Sequence, residues 1–430
     1  MAGAVVQEEV VEMEKLQTIV MAGGSGERLQ PLTMGRAKPA VPFGGKYRLI
    51  DFTLSNCVNS GLRKIFVLTQ YRSGSLNVHV QEGWGISSSG LGEYIYTVPA
   101  QQKLGADWYR GTADAVRQNL DLITRREVEH ILILSGDHVY KMDYRQMLAH
   151  HKRRDAGLTI SGIRVRKEQA ASKLGVLAVD RNLRLLKFEE KPAKPRTVPD
   201  SPDHVLASMG VYIFKMSALR EAMHGTEDDF GKEVIPLMTA KGYKVFVYDY
   251  ENENKIEDFV FEVKDGKRNK VLVNGTRDSS YWRDVGDIDS YYEASMDLVG
   301  VDPLFNLYGE KWPFRSYQKP RPPTKCVLGG STPDSLVSDG CIISGGTVRG
   351  SILSPGVVVE RDALVERSII FDDVSLEPGA RVRRAIVDKE SRIHAGASIG
   401  YDHEADKRRG CSVSPSGVVV VPKGTNIGPG

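Results

Sequence analysis

Cysteine is scarce. Cys57, Cys326, Cys341 and Cys411 are scattered through 430 residues without a Cys-x-x-Cys pair, which excludes a disulfide framework or zinc cluster and fits a reducing cytosol. No charge of one sign dominates either. The 58 Lys and Arg stand against 55 Asp and Glu, a net charge of +3, so nucleic acid is not an expected partner and any polyanion site must be local. No apolar run reaches membrane-spanning length, and the opening MAGAVVQEEVVEMEKLQ carries Glu where a targeting peptide would carry Lys, Arg or Ser. A soluble cytoplasmic protein with no membrane partner and a short N-terminal tail (1–15) is expected. Also missing are a Walker A loop and the third glycine of a GxGxxG fingerprint.

What is present begins with α/β punctuation. Short apolar runs (TIVMAGG, KIFVLTQ, HILILSGD, LTISGIRV, MGVYIFK) alternate with amphipathic stretches such as ADAVRQNLDLI. Val/Ile/Leu runs with little polar alternation suit strands buried on both faces of a mostly parallel, helix-flanked, Rossmann-like sheet. The length exceeds one ordinary core, so two domains are expected. An aromatic, Pro-rich stretch, VDPLFNLYGEKWPFRSYQKPRPPTK, is too irregular for a helix or paired strand and sets a linker at 301–330 between a domain at 16–300 and another at 331–430. In the latter, 351–367, 368–384 and the stretch from 385 align without gaps at a 17-residue period. Ile352, Ile369 and Ile386 fall in one column, Ala363, Ala380 and Ala397 in another, Val365, Val382 and Ile399 in a third. With one deletion, 335–350 makes a fourth copy. This is the pattern of a small left-handed hexapeptide β-helix rather than a β-sandwich. Its end needs a cap or a partner, which apolar VSPSGVVVVP (413–422) is suited to supply.

The chemistry is expected at the carboxyl ends of the strands. The first run ends in VMAGGSGERLQPLT, with Gly23, Gly24 and Gly26, then Arg28, Arg36 and Lys38. Glycines let backbone N–H groups close on phosphate oxygens and the cations neutralise them. A glycine pair after a strand is as compatible with a plain turn; three cations within fourteen positions favour a triphosphate. Lys38 and Lys191 both precede proline, which predicts extended backbone at each.

AGGSGERLQPLT, RAKPAVPFGGKYRLIDFTLSN, PAQQ, WYRGTADAV, SGDHVY, FEEKP, SMGVYIF, DFGKEVIP and YWRDVG, in that order, closely resemble the bacterial glucose-1-phosphate adenylyltransferases (ADP-glucose pyrophosphorylases). The resemblance runs from about Leu16 into the repeat region. It implies transfer of AMP from ATP to glucose 1-phosphate with release of pyrophosphate, the first committed step of glycogen-like glucan synthesis. It implies Mg²⁺ held by Asp137 and Asp284, with Arg28 and Lys38 on the departing pyrophosphate. On the nucleotide it implies Gly23, Gly24, Gly26, Gln70, Gln101, Tyr109, Gly111 and Thr112; on glucose 1-phosphate, Gly175, Glu190, Lys191, Ser208 and Asp229. His138 is given a structural role. Trp108 is expected in the core and Tyr109 to be the less core-like of the two.

The family is allosteric and usually tetrameric, which implies a homotetramer with a sugar-phosphate activator and an AMP-like inhibitor bound between the domains. Here Met34-Gly35 replaces the basic residue often found before Arg36, leaving Arg36 and Arg48 on one side and Arg381, Arg383 and Arg384 on the other as effector candidates. Three rivals differ in what they use: another nucleoside triphosphate or sugar, acetyl-CoA on the β-helix, or no substrate at all, as a regulatory subunit. His394 and His403 lie near the far end of a short repeat, which disfavours acetyl transfer. Asp137, Asp284, Lys191 and Arg28 are all intact, which disfavours a non-catalytic subunit.

Overall fold

The computed structural model describes residues 13, 15–101, 108–125, 127–198, 201–223, 225–264 and 266–429. The first domain is a nine-stranded sheet: β1 (Leu16–Ala22), β2 (Lys64–Thr69), β3 (Tyr94–Pro99), β4 (His130–Ser135), β5 (Leu158–Arg166), β6 (Val176–Val179), β7 (Leu185–Glu189), β8 (His204–Lys215) and β9 (Val245–Asp249). Its path is β7-β6-β8-β4-β1-β2-β3, with β5 pairing β8 and β9 pairing β5. Seven strands share one direction and only β7 and β8 oppose it, so the sheet is mostly parallel.

The apolar runs become central strands because both faces are covered. Ile19 and Val20, neighbours on β1, are 0% exposed yet belong to cores on opposite sides of the sheet. Helix α1 (Leu49–Asn59) makes the crossover between β1 and β2, and α2 (Thr112–Arg117) follows β3. The stretch expected as one helix, ADAVRQNLDLI, splits after Arg117 and resumes at Leu120.

The proline-rich stretch after 301 holds no helix or strand before Lys325, but it is not a loose tether. Phe305, Trp312 and Phe314 are buried, Phe305 and Phe314 with their rings 5.7 and 5.1 Å from that of Phe52 on α1. Trp312 Nε1 donates to Asn56 Oδ1 (2.9 Å) and the Arg315 N–H to Ser55 Oγ (2.9 Å). Aromatic burial and satisfied polar atoms seat this segment along the helix.

The second domain is a three-sided parallel β-helix. Register runs Leu336↔Ile352↔Ile369↔Ile386↔Val420 on one face and Val348↔Val365↔Val382↔Ile399 on another. One corner repeats as Gly345, Asp362, Gly379 and Gly396, all left-handed (φ 73, 60, 71 and 71°). The two aligned columns do different work. Val365, Val382 and Ile399 fill the interior, whereas Ile352, Ile369 and Ile386 project outward and are buried against Leu29, Leu32 and Tyr291 of the first domain. Tyr291 lies on α3 (Ile288–Met296). Across this contact Arg36 Nη2 meets Asp388 Oδ1 at 2.8 Å, both side chains under 10% exposed. The segment Ser412–Val421 forms a hairpin at the end of the stack. No helix among the described residues is long and apolar enough to cross a membrane.

Candidate active site

β1 and β4 are adjacent, so the turns leaving their carboxyl ends open on one crevice. Gly136 makes this possible: its N–H donates to Met21 O (3.0 Å), and a Cβ there would sit 3.0 Å from Val20 Cγ1. Asp137 follows directly. The short strand after it, His138–Tyr140, pairs antiparallel with Trp282–Asp284, placing Asp284 opposite His138. Two carboxylates from distant parts of the chain therefore face each other.

Lys38 lies between them, its Nζ 2.8 Å from Asp137 Oδ2 and 3.2 Å from Asp284 Oδ1. Gly26, at φ 63°, is pressed against its stem, with an added Cβ 3.0 Å from Lys38 Cβ. His138 Nε2 is 3.7 Å from both carboxylates, and its Nδ1 donates to Met209 O at 3.1 Å. The Ser135 hydroxyl donates to Asp137. Burial alone would push both carboxyls up, but the Lys38 ammonium and then His138 outweigh it and hold both below the usual carboxylate range. Burial likewise opposes the charge on Lys38, and the two carboxylates hold its pKa above the ordinary value. The cluster is ionised at neutral pH.

A cavity of about 300 Å³ opens over this cluster, lined by Gly23, Gly24, Lys38, Gln70, Tyr109, Gly111, Thr112, Asp137 and Asp229 among others. Arg28 and Asp284 line a larger adjoining cleft of about 720 Å³ that reaches the β-helix hairpin. Arg28 is exposed and makes no ion pair among the described residues. Gln101 is exposed at the end of β3.

The expected sugar residues gather next door. Asp229 caps the turn Phe230–Val234, accepting from the N–H groups of Gly231 (2.9 Å) and Lys232 (3.0 Å). Ser208 Oγ is 3.3 Å from Tyr212 OH, and Glu190 lies where side chains on Gly175 or Gly231 would strike it. Lys191 Nζ pairs with Glu190 Oε1 at 3.3 Å.

Three expectations need correction. Trp108 is 56% exposed, whereas Tyr109 packs against the sheet with its OH accepting from Asn119 Nδ2 (2.9 Å). The proline rule gave extended backbone at both lysines, but Lys38 opens a 3₁₀ turn and Lys191 is left-handed at φ 47°. In both places the turn needed to aim the cation overrides local preference. The effector candidates do not all converge. Arg48 lines a pocket with Lys46, Arg321 and Lys389, with Arg36 close enough to act on Arg48 and Lys389 while its Nη2 pairs with Asp388; Arg381 lies over the Tyr401 ring, and Arg384 lines a separate pocket with Arg367, Arg383 and His403.

The donor set fits a hard divalent cation. Asp137 and Asp284 supply two ionised carboxylates that already share one cation; His138 stands 3.7 Å from each, and no group of three His, Cys, Asp or Glu with metal-holding geometry is found among the described residues. The remaining ligands would be phosphate oxygens and water, as Mg²⁺ prefers.

Residues 17–300 match the family Nucleotidyl transferase, and residues 322–421 match GlmU-like, C-terminal hexapeptide. The chain is 46% identical to a glucose-1-phosphate adenylyltransferase of Anaeromyxobacter sp. over 97% of this chain and 100% of that one. It is 47% identical to one from Methylococcus capsulatus (94% and 92% covered) and 44% to one from Rhodopirellula baltica (96% and 91%). The chain belongs to the glucose-1-phosphate adenylyltransferase family.

Membership makes the chain a nucleotidyltransferase with a left-handed hexapeptide β-helix behind it. Sequence reading had not singled out Ser135, Asn119 or Tyr212. Tyr212 stands four residues beyond Ser208 on β8, but the register breaks between them at left-handed Gly210, so strand alternation alone could not have paired them. Burial, with Glu190 and Asp229 adding, pushes its hydroxyl up to about 12, so it stays a donor beside two carboxylates. Gln70 also differs from a simple base contact: its Oε1 accepts from Tyr109 N (3.1 Å) and its Nε2 donates to Tyr109 O (3.3 Å), so it holds the loop that carries the aromatic.

Proposed function

We propose that this chain transfers AMP from ATP to α-D-glucose 1-phosphate, giving ADP-glucose and pyrophosphate. The observation that carries the reading is the ionised Lys38–Asp137–Asp284 cluster, with Lys38 and Asp137 lining a cavity that also holds Gly23–Gly24 and Tyr109, and Asp284 lining the cleft that adjoins it. The attacking phosphate oxygen of glucose 1-phosphate is already anionic, so no general base is needed. Its bond to the α-phosphorus forms as the bond to the bridging oxygen breaks, and pyrophosphate leaves with that electron pair. The chain's task is alignment and charge neutralisation.

Asp137 and Asp284 would hold Mg²⁺, which supplies charge neutralisation on the phosphates when bound. Gly23 and Gly24 present backbone to the triphosphate, with Gly26 setting the turn. Tyr109, fixed by Asn119 and Gln70, offers its ring to adenine, with Gln101, Gly111 and Thr112 completing that side. Arg28 and Lys38 meet the departing pyrophosphate. Glu190, Lys191, Ser208 and Asp229 hold glucose 1-phosphate, with Gly175 leaving room for Glu190.

In this reading residues 16–300 are the catalytic unit and 331–430 the regulatory and assembly unit of a homotetramer. It serves glycogen-like glucan synthesis in the cytoplasm, where the four free thiols are at home. A sugar-phosphate activator or AMP-like inhibitor would take the pocket at Arg48, where Asp372 and Asp373 already neutralise Lys389 and Arg321, or the more uniformly cationic one at Arg384.

The test is ADP-glucose synthesis by the purified chain, with ATP, GTP, UTP and dTTP compared and with EDTA added. ATP turnover at least tenfold above the others, abolished by chelation, is expected. Preference for another triphosphate, or no turnover, overturns the proposal.

A further inference from the structure

We propose that Arg117 and Asp228 form a positioning unit that couples the nucleotide side of the site to the sugar side, so that neither substrate loop can move without the other. The inference rests on the proposed assignment of Tyr109–Thr112 to ATP and of Asp229 to glucose 1-phosphate.

The two loops are joined first through backbone. The leading N–H groups of α2 lack partners within the helix, and those of Ala113 and Asp114 donate instead to Asp228 O, at 2.8 and 3.1 Å. In return the Phe230 N–H donates to Thr112 Oγ1 at 3.1 Å. The approach leaves no space between them, since a Cβ on Gly111 would fall 2.3 Å from Asp228 O. Glycine here is a requirement of contact, not of φ.

Side chains then lock the join. Arg117 Nη1 donates to Glu227 O (2.6 Å), and its Nη2 reaches both Asp228 Oδ1 (3.2 Å) and Asp114 Oδ1 (2.5 Å). Arg110 Nη2 lies 3.1 Å from the same Asp228 oxygen. Asp114, 1% exposed, also accepts from Arg110 N (3.0 Å) and Gln118 Nε2 (2.9 Å). Two arginines from the nucleotide side thus converge on a carboxylate from the sugar side. A planar fork holding a carbonyl and two carboxylates is a geometric constraint as much as a charge contact.

None of Asp114, Arg117 and Asp228 lines the cavity, so they act through others: Asp228 through Asp229, Arg117 through the start of α2 and hence Gly111 and Thr112. Displacing one loop displaces the other, and coupling between two ligands is reciprocal. The structure therefore assigns to this unit a cross-effect: damage on the nucleotide side is felt by the sugar, and the reverse.

Steady-state kinetics of the full chain, with each substrate varied, test this on Arg117→Met and Asp228→Asn. Arg117→Met is expected to raise KM for glucose 1-phosphate five- to twentyfold and Asp228→Asn to raise KM for ATP by a similar factor. In each variant kcat falls by less than KM rises, and Arg117→Lys lies between. A purely structural role would lower the melting temperature and the active fraction while leaving both KM values in place. That result overturns the proposal, as does a variant that changes only the KM of its own side. Should Arg117→Met fail to fold, Arg117→Lys and Asp228→Asn carry the same comparison. A wild-type chain that makes no ADP-glucose overturns the underlying reading and this inference with it. An active wild type whose variants show no cross-effect overturns this inference alone.

Discussion

The crevice over β1 and β4 and the stack of β-helix coils are built on opposite terms. In the middle coils a residue pairs with its counterpart seventeen positions away, and the interior holds only small and aliphatic side chains. In the crevice, charged groups from Lys38, Asp137 and Asp284 are brought together from across the first domain and kept ionised against the pull of burial. The difference teaches where substitution should cost stability and where it should cost chemistry. A coil residue is replaceable by another of its column; a crevice residue has no column.

The strongest way to break that contrast is Asp137→Asn. It keeps the shape but removes one of the two carboxylates that face the phosphates. We expect kcat for ADP-glucose formation to fall about a thousandfold, equivalent to about 4 kcal/mol, with a melting temperature within a few degrees of wild type. A loss under tenfold would show that the cluster is not the catalytic centre.

The converse substitution is Ile370→Ala, inside the coils and 0% exposed. Cavity creation at such a site costs about 3 kcal/mol, read by urea unfolding, while kcat/KM at 25 °C stays within about twofold of wild type. If activity fell in step with stability, the coils would be part of the catalytic apparatus rather than a scaffold.

The same contrast governs how much could be read beforehand. The strands β1, β2, β4, β5 and β8 were legible because burial on both faces leaves an uninterrupted apolar run. β3 (YIYTVP) was not, because it is a half-exposed edge strand with mixed character. The 17-residue period gave coil registration directly. It could not say that the Ile352–Ile369–Ile386 column faces outward, since a period records which residues stack and not what lies beyond them. In the crevice, the residue types at Asp137, Asp284 and Lys38 were visible, but their convergence is a property of tertiary structure. Trp108 and Tyr109 were ordered wrongly because ring size is a poorer guide to burial than a partner for the hydroxyl, and that partner, Asn119, is visible only in three dimensions.

Acid should sharpen the contrast by acting on one domain. His151, on the helix following Asp143, is 1% exposed with Nδ1 2.8 Å from Thr159 Oγ1. Burial, with His130, His150, Lys215 and Lys152 adding, pushes it down to about 3 from an ordinary 6.5. The unfolded chain therefore binds a proton here that the folded chain refuses. This group costs nothing above pH 6.5, and stability is lost as pH falls below it, by about 2 kcal/mol between pH 6.5 and 5. The β-helix has no equivalent, His394 and His403 being at least partly exposed. Calorimetry at pH 7.5 and 5 should show the first domain's transition moving down and the β-helix transition holding. His151→Gln should shrink the shift, and an unchanged shift would assign it to other groups.

The smallest effect tests whether coil positions are interchangeable within a column. Arg367 and Arg384 occupy a corner whose preceding member is Gly350, and all three are left-handed, at φ 45, 47 and 55°. A side chain with a Cβ is strained there by roughly 1–2 kcal/mol, partly offset because glycine gains more freedom on unfolding. Arg384 has compensation, since its guanidinium donates to Ser416 O and Oγ (both 3.2 Å) and lies over the Tyr292 ring. Arg367 has less compensation: its side chain makes no ion pair among the described residues and lies against the Tyr292 hydroxyl, while its N–H donates to Arg349 O (3.0 Å) and its carbonyl accepts from Tyr292 OH (2.6 Å), backbone contacts glycine retains. Arg367→Gly should therefore raise stability by about 0.5–1 kcal/mol in urea unfolding with catalysis unchanged, while Arg384→Gly should gain nothing. Were Arg367→Gly to destabilise instead, the contact of the guanidinium with Tyr292, or something bound in its pocket with Arg383, Arg384 and His403, would outweigh the backbone strain.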